Sequence, residues 1–322
     1  MYLQTQKYTA PVHCFTGSVE HLFRARNRTV TEKMLFERGN GFLFQCMQYN
    51  CDYPYLCVSI EDVGVSGARV AGGRLKKIPL TQSDKDIQLE ELLSVHNQVI
   101  TWTEASGSCE GTTFSYGSFH RMHAAVITAF DRKKDQIIVM PGATRMRHGH
   151  KTTELNASEF FSSPASGVKR NGAPVLKAYY CLVPGEETLL SNEKHFIQRQ
   201  SELFFENKKY LNAMNIYRKN LIHSLNTSHE RASLAAHTAA MQIQTFYVVP
   251  VLHLLYACLD TAAYPHKTLC YCRALICEWR MLVAMLRTFA RYPSSTSLVR
   301  IDKKLQHLNL QTLRMWYTIS KA

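Results

Sequence analysis

The sequence lacks an apolar run long enough to cross a lipid bilayer. Its most apolar stretch, Phe246 to Leu259, is interrupted by Pro250 and His253, whereas a spanning helix needs about 20 consecutive apolar residues. The first residues, MYLQTQKY, also lack the basic-then-apolar pattern of a secretory signal. We therefore expect a buried helix at this stretch, no membrane partner and a cytoplasmic protein.

The ten cysteines lack the spacing of a disulfide-rich module. Thiols that are not arranged for pairing are typical of the reducing cytoplasm, so most should be free. The nearest approach to a metal-binding cluster is His266 with Cys270, Cys272 and Cys277. A CxC pair within a helix directs its two thiols to different faces, however, so we expect no metal site.

Acidic residues are scarce, at 25 against 38 lysines and arginines, which gives a net charge of +13. The basic residues occur in short, separated groups, without interleaved aromatic side chains and without a helix-turn-helix or zinc-finger pattern. Nucleic acid is therefore not the expected partner. An acidic protein partner and a merely solvated basic face both remain open.

The chain also lacks internal repeats and low-complexity segments, and its pattern changes once, near Pro184. Strand-like runs precede that point at Tyr55–Ile60, Gln98–Thr103, Ala124–Phe130, Gln136–Met140 and Val175–Val183. Helical periodicity follows it over Phe196–Leu225, Glu230–Leu259 with a kink near Pro250, Lys267–Ala290 and Thr296–Thr318. We expect an α+β domain with a mostly antiparallel sheet over residues 1–185 and an all-α helical domain over residues 186–322.

The stretch APVHCFTGSVEHLF places a cysteine where a helical pattern begins. Pro11 favours an extended residue before it, and apolar residues recur at helical spacing after Cys14. Unpaired N–H groups and the positive end of the helix dipole favour a thiolate at such a position, which makes Cys14 a candidate nucleophile. The alternative is a small residue of the buried core.

A histidine stands at the entry to a predicted strand within FHRMHAAVITAFDRKKDQIIVMPG, residues 119–142. A sheet would hold His123 rigidly, as a general base for a thiol requires. His120 competes for the role. Strand phase alone does not separate the two residues, but proximity to the strand favours His123.

Three motifs, HCFTGSVEHLF, FERGNGFLF and MHAAVITAFDRKKDQIIV, occur in an order that resembles the N-terminal domain of the butirosin biosynthesis protein H family. The helical remainder resembles the domain that often follows it. The resemblance implies a papain-like fold and a thiol acyltransferase of natural-product biosynthesis, including antibiotic biosynthesis. Such an enzyme moves an acyl group from a carrier-protein thioester to an amine.

The resemblance also implies the site residues and partners. Cys14 would be the nucleophile and His123 the base, while Gly39 and Gly41 would shape a substrate-binding loop beside the cysteine. Independently of the resemblance, we expect His120 to contact the substrate. The expected partners are an acidic acyl carrier protein and a small-molecule amine acceptor. No cofactor of the chain's own is implied, because the carrier protein brings the phosphopantetheine.

One position departs from the papain-like pattern. Met140 stands where such enzymes place an Asp or Asn to orient the histidine, and a thioether cannot accept a strong hydrogen bond from an imidazole. Either a Cys-His dyad suffices, or Glu104 or Asp131 supplies a carboxylate. Glu104 is our preferred third catalytic residue, although an exposed carboxylate at a strand end is its simpler interpretation.

The departure leaves two other functions open. A thiol hydrolase, either a peptidase or a thioesterase, would use the same scaffold, and a catalytically silent binding module would need no base at all.

The glycine-rich segment Gly67–Lys77 lacks the spacing of a phosphate loop. It predicts a mobile loop able to touch the phosphopantetheine arm, and the segment around Cys46, Cys51 and Cys57 predicts a packed apolar hairpin.

Overall fold

The computed structural model describes residues 13–48, 53–80, 84–104, 122–141, 152–162, 165–170, 173–185 and 193–322. Its fold class is α+β, with an antiparallel sheet and many helices.

The elements up to residue 184 alternate between short helices and strands. The helices are α1 (Cys14–Arg24), α2 (Glu32–Arg38), α3 (Ile60–Val70), α4 (Lys85–His96) and α5 (Ala157–Ser162). The strands are β1 (Phe44–Gln48), β2 (Pro54–Val58), β3 (Gly73–Pro79), β4 (Val99–Glu104), β5 (Met122–Asp131), β6 (Gln136–Pro141), β7 (Thr153–Asn156), β8 (Ala165–Arg170), β9 (Ala173–Leu176) and β10 (Ala178–Pro184).

The described elements after residue 192 are all helical. They are α6 (Glu193–Glu206), α7 (Lys208–Leu211), α8 (Ala213–Leu225), α9 (His229–Met241), a π-helical turn (Gln242–Phe246), α10 (Val248–Thr261), α11 (His266–Arg291) and α12 (Ser295–Ser320). The predicted strand-like runs and helical regions are thus confirmed with two exceptions. The run Tyr55–Ile60 ends as a strand at Val58, with Ile60 beginning α3, and the run Val175–Val183 is split into β9 and β10 at Lys177.

The main sheet, within the described residues, has six strands in the order β3-β10-β4-β5-β6-β7, and each pair of neighbours is antiparallel. Alternate residues of a strand lie on opposite faces of a sheet. Ile100, Ala124 and Val126 therefore pack towards α1, whereas Val99 and Ile127 pack into a separate apolar cluster beneath α4 and α5.

Helix α1 is held on the sheet by aromatic packing. The ring of Phe15 stacks on Trp102 with centroids 5.4 Å apart and meets the edge of Tyr180 at 5.0 Å. Gly64 of α3 completes the contact, because a Cβ at this position would clash with the Phe15 ring. The first turn of α1 is thereby fixed relative to β4 and β5.

The segment Gly67–Lys77 is not a loop, so that prediction was wrong. Its first residues end α3, Gly72 turns the chain with a φ of 73°, and β3 begins at Gly73. Gly67 lies against the backbone carbonyl of Leu35, where a side chain would clash. The glycines permit close packing and a tight turn rather than mobility.

The hairpin predicted around the clustered cysteines is present in the described residues. Strands β1 and β2 pair antiparallel, with Cys46 opposite Leu56, and Cys57 is buried in the apolar core. Cys51 lies outside the described residues.

The apolar stretch in the second half is a core helix. By length and hydropathy the continuous helical region His229–Thr261 could cross a membrane, so the expectation that no run reaches this length was wrong. Most of its apolar stretch is nevertheless buried inside the fold. The interruption predicted near Pro250 occurs earlier, at the π-helical turn that ends before Tyr247. Pro250 lies in the first turn of α10, where proline is tolerated.

The two halves of the chain share one apolar cluster. It contains Phe36, Phe42 and Tyr55 from the first half together with buried residues of the bundle such as Trp279. A buried polar contact joins the halves as well. Gln200 of α6 accepts a hydrogen bond from the Phe42 backbone N–H at 3.0 Å and donates one to the carbonyl of Glu37 at 2.8 Å.

Replacing Gln200 by alanine is expected to lower the free energy of unfolding by about 1–3 kcal/mol, because two backbone groups lose their hydrogen-bond partner. Urea denaturation followed by circular dichroism would measure the change. Gln198→Ala on the same helix is the control and should cost much less. Equal losses in both variants would show that Gln200 does not hold the turn after α2.

Candidate functional site

Cys14 is the first residue of α1, as the sequence predicts. The preceding residue, His13, is extended, with φ −148° and ψ 143°. The half-buried thiol lies against the sheet, where its Sγ accepts the backbone N–H of Ala124 in β5 at 3.4 Å. Two motifs 110 residues apart in sequence therefore meet at Cys14.

The helical bundle borders this position through His13. The His13 ring stacks on Phe36 with centroids 5.5 Å apart and on Tyr247 with centroids 6.0 Å apart. Tyr247 lies between the π-helical turn and α10. The residue before Cys14 is thus enclosed by both halves of the chain.

A buried carboxylate occupies the N-terminus of α1. Glu32 Oε1 accepts the backbone N–H of His13 at 2.6 Å and the Thr16 hydroxyl at 3.0 Å. Glu32 lies at the start of α2, and its own backbone N–H donates to Glu20. Sequence reasoning missed this residue, since the cap comes from a different helix and leaves no local signal.

The pKa of the Cys14 thiol is raised above its ordinary value, mainly because burial disfavours the thiolate. The backbone N–H groups of Ala124, Phe15 and Cys14 act in the opposite direction, and the negative charge of Glu32 adds to the rise. This is opposite to the direction expected from the start of a helix alone. The positive end of the helix is already engaged by Glu32.

We expect this raised pKa to appear in the pH profile of thiol alkylation. Because the protonated form is favoured, the alkylation rate of Cys14 should reach half of its maximum only above pH 9.0, the ordinary value. Iodoacetamide labelling with peptide mapping would measure the profile, with exposed Cys277 as an internal reference for the reagent. A midpoint well below 9.0 would instead indicate a thiolate stabilised as an ion pair.

The predicted base and acid lie on neighbouring strands close to Ala124. In the register of β4 and β5, His123 is opposite Thr103 and Glu104 is opposite Met122. Backbone pairing brings both residues within one or two positions of the residue that contacts Cys14.

Two further positions bear on the third catalytic residue: Met140, where an Asp or Asn was expected, and Asp131, the alternative carboxylate. Met140 is opposite Val126 and packs against the apolar cluster under α1. Asp131, at the far end of β5 from His123, accepts the backbone N–H groups of Lys133 and Lys134, both at 3.1 Å. Eight residues of strand span about 27 Å, so Asp131 cannot orient His123, and that alternative was wrong.

Gly39 and Gly41 form the turn that follows α2. A Cβ on Gly39 would clash with the carbonyl of Val63, and a Cβ on Gly41 would lie 2.5 Å from the ring of Phe36. Both glycines therefore have packing roles. The Phe36 ring also stacks on His13, so Phe36 lies between this turn and the residue that precedes Cys14.

The cysteines of α11 point in different directions, as predicted for a CxC pair in a helix. Cys270 is exposed and lies 3.5 Å from His266 Nδ1, whereas Cys272 is buried and lies near the carbonyl of Leu252. Among the described residues, no group of three or more His, Cys, Asp or Glu could hold a metal ion.

His120 lies outside the described residues.

Comparisons with known proteins found no family model that matches the chain and no match among curated proteins.

Proposed function

We propose that the protein is a papain-like thiol acyltransferase that moves an acyl group from a carrier-protein thioester to an amine in natural-product biosynthesis. The observation that carries the proposal is the contact between Cys14 Sγ and the backbone N–H of Ala124, one residue after His123. It joins the first and third of the three motifs on which the family resemblance rests. We place this activity in the cytoplasm, with an acidic acyl carrier protein as donor.

The raised pKa of Cys14 favours a general-base mechanism over a preformed ion pair. Imidazole of His123 takes the thiol proton as Sγ attacks the carbonyl carbon of the thioester. The C–S bond to the carrier then breaks, and its departing thiolate receives that proton. A deprotonated amine next attacks the acyl-Cys14 thioester, giving an amide and returning the Cys14 thiol.

Backbone donors at the start of α1 suit the charge that develops in these steps. The N–H groups of Cys14, Phe15 and Ala124 all lower the thiol pKa, so each stabilises negative charge on or near Sγ. They therefore favour the thiolate that forms when the base takes the proton of Cys14.

The experiment that tests the proposal combines the protein with an acylated carrier protein and a primary amine. We expect an amide product that depends on the amine. A free acid formed at the same rate with and without amine would favour the thiol hydrolase instead. Intact carrier thioester bound to the protein without turnover would favour a binding module. That function also fits a methionine at position 140, where an Asp or Asn would orient the histidine of an enzyme.

A further inference from the structure

Helix α11 has two opposite rows of residues that repeat alternately every three and four positions. The buried row packs into the bundle and consists of Thr268, Cys272, Leu275, Trp279, Leu282, Leu286 and Phe289. The other row is exposed along its whole length and consists of His266, Cys270, Arg273, Cys277, Arg280, Ala284, Arg287 and Arg291. We call this second row the exposed seam.

Arginine recurs along the exposed seam at a fixed interval. Arg273, Arg280 and Arg287 are separated by seven residues each, or about 10.5 Å along the helix axis. Small side chains, Cys277 and Ala284, lie between them. The seam therefore presents a regular series of long cationic side chains with gaps of constant size.

The positive charge of the seam is not neutralised within the described part of the chain. None of its arginines forms an ion pair with a described carboxylate, although Arg280 contacts His253 at 2.8 Å. The one acidic residue of α11, Glu278, pairs instead with Lys304 of α12. Elsewhere in the bundle, Arg218 forms two hydrogen bonds with Asp302.

This pattern fits an acidic helix of a partner protein better than it fits a nucleic acid or an anionic membrane. An interval of seven residues is the repeat with which two helices pack along each other. Arginine binds carboxylates through two parallel hydrogen bonds, and the gaps at Cys277 and Ala284 leave room for the partner's aliphatic stems. The seam has no aromatic residue for stacking on bases and no large apolar residue for insertion into lipid.

We propose that the exposed seam of α11 binds an α-helix of an acidic partner protein that carries carboxylates at seven-residue intervals. The inference does not depend on the chemistry at Cys14. It would hold equally if the protein were a hydrolase or a binding module.

The test uses two synthetic peptides of 26 residues, the length of α11. Both have the same composition and helicity, but glutamates recur every seven residues in one and are scrambled in the other. Fluorescence anisotropy at an ionic strength of about 0.1 M would measure affinity, since exposed charges still interact across an interface there. We expect the regular peptide to bind about tenfold more tightly than the scrambled one, as close charge pairs allow.

Matched charge reversals locate the surface. The triple variant Arg273→Glu, Arg280→Glu, Arg287→Glu should weaken binding of the regular peptide about tenfold or more. The control combines Lys303→Glu and Arg314→Glu on the exposed side of α12 with Lys321→Glu just after its C-terminus. It makes the same change in net charge and should have a much smaller effect.

The exposed thiols of the seam report occupancy directly. The regular peptide should slow the alkylation of Cys277, which lies between Arg273 and Arg280, and of Cys270, which lies three residues before Arg273. Equal losses in the two charge-reversal variants, equal binding of both peptides or no protection of these thiols would overturn the inference. Tighter binding of duplex DNA or anionic phospholipid vesicles than of the regular peptide would also overturn it.

Discussion

Cys14→Ala is expected to reduce acyl transfer from a carrier thioester to an amine by about 10⁴-fold or more, as for loss of a covalent nucleophile. The fold should be retained, because the change removes a single side-chain atom from the first residue of α1. The rate of amide formation under single-turnover conditions measures the effect. Cys277→Ala, which removes an exposed thiol from α11, should transfer at the wild-type rate.

Transfer at the wild-type rate by the Cys14→Ala variant would mean either that another residue is the nucleophile or that the reaction has no covalent intermediate. Loss of carrier binding in the same variant would mean that Cys14 supports docking rather than chemistry. The two results are separated by measuring carrier affinity alongside turnover.

His123→Ala is expected to slow acylation of Cys14 by about 10²–10⁴-fold, the usual contribution of a general base. Carrier binding should change little. The residual rate should rise with pH, because the thiolate fraction of Cys14 increases about tenfold per pH unit below its pKa. Stopped-flow measurement of acyl-enzyme formation across pH gives both quantities, and a merely structural histidine would not alter the pH profile in this way.

His120→Ala and Glu104→Gln are the comparisons that decide the assignment. Strand pairing places the backbone of His123 opposite Thr103 and that of Glu104 opposite Met122, close to Ala124. A larger loss in His120→Ala than in His123→Ala would transfer the role of base to His120. A loss in Glu104→Gln that equals the loss in His123→Ala would support a triad with Glu104.

The start of α1 was predictable because its determinants are local. Pro11 and the apolar spacing after Cys14 are sufficient to place the helix boundary, and the structure begins α1 at this residue. The strands of the main sheet were predictable for the same reason. Alternating and β-branched runs such as Ala124–Phe130 specify their own conformation.

The electrostatics of Cys14 were not predictable, since they depend on contacts across the fold. Glu32 reaches the N-terminus of α1 from another helix, and burial under the sheet outweighs the backbone donors. Local sequence gave the position of the thiol at a helix end. It could not show that a carboxylate already occupies that end.

The prediction of a mobile loop at Gly67–Lys77 was wrong for a related reason. A glycine-rich, basic segment is typical of a mobile loop, but these glycines serve helix packing and a turn. The relevant neighbour of Gly67 is the backbone of Leu35 in another helix. The contact that links the halves through Gln200 is equally long-range and left no sequence pattern.

The central claim, that Cys14 carries the acyl group, is tested most directly by mass spectrometry of the intact protein after mixing with acylated carrier in the absence of amine. We predict one added acyl group, mapped by proteolysis to the peptide that contains Cys14, and its disappearance when amine is added. An adduct on any other of the ten cysteines, or turnover without an adduct, would contradict the claim.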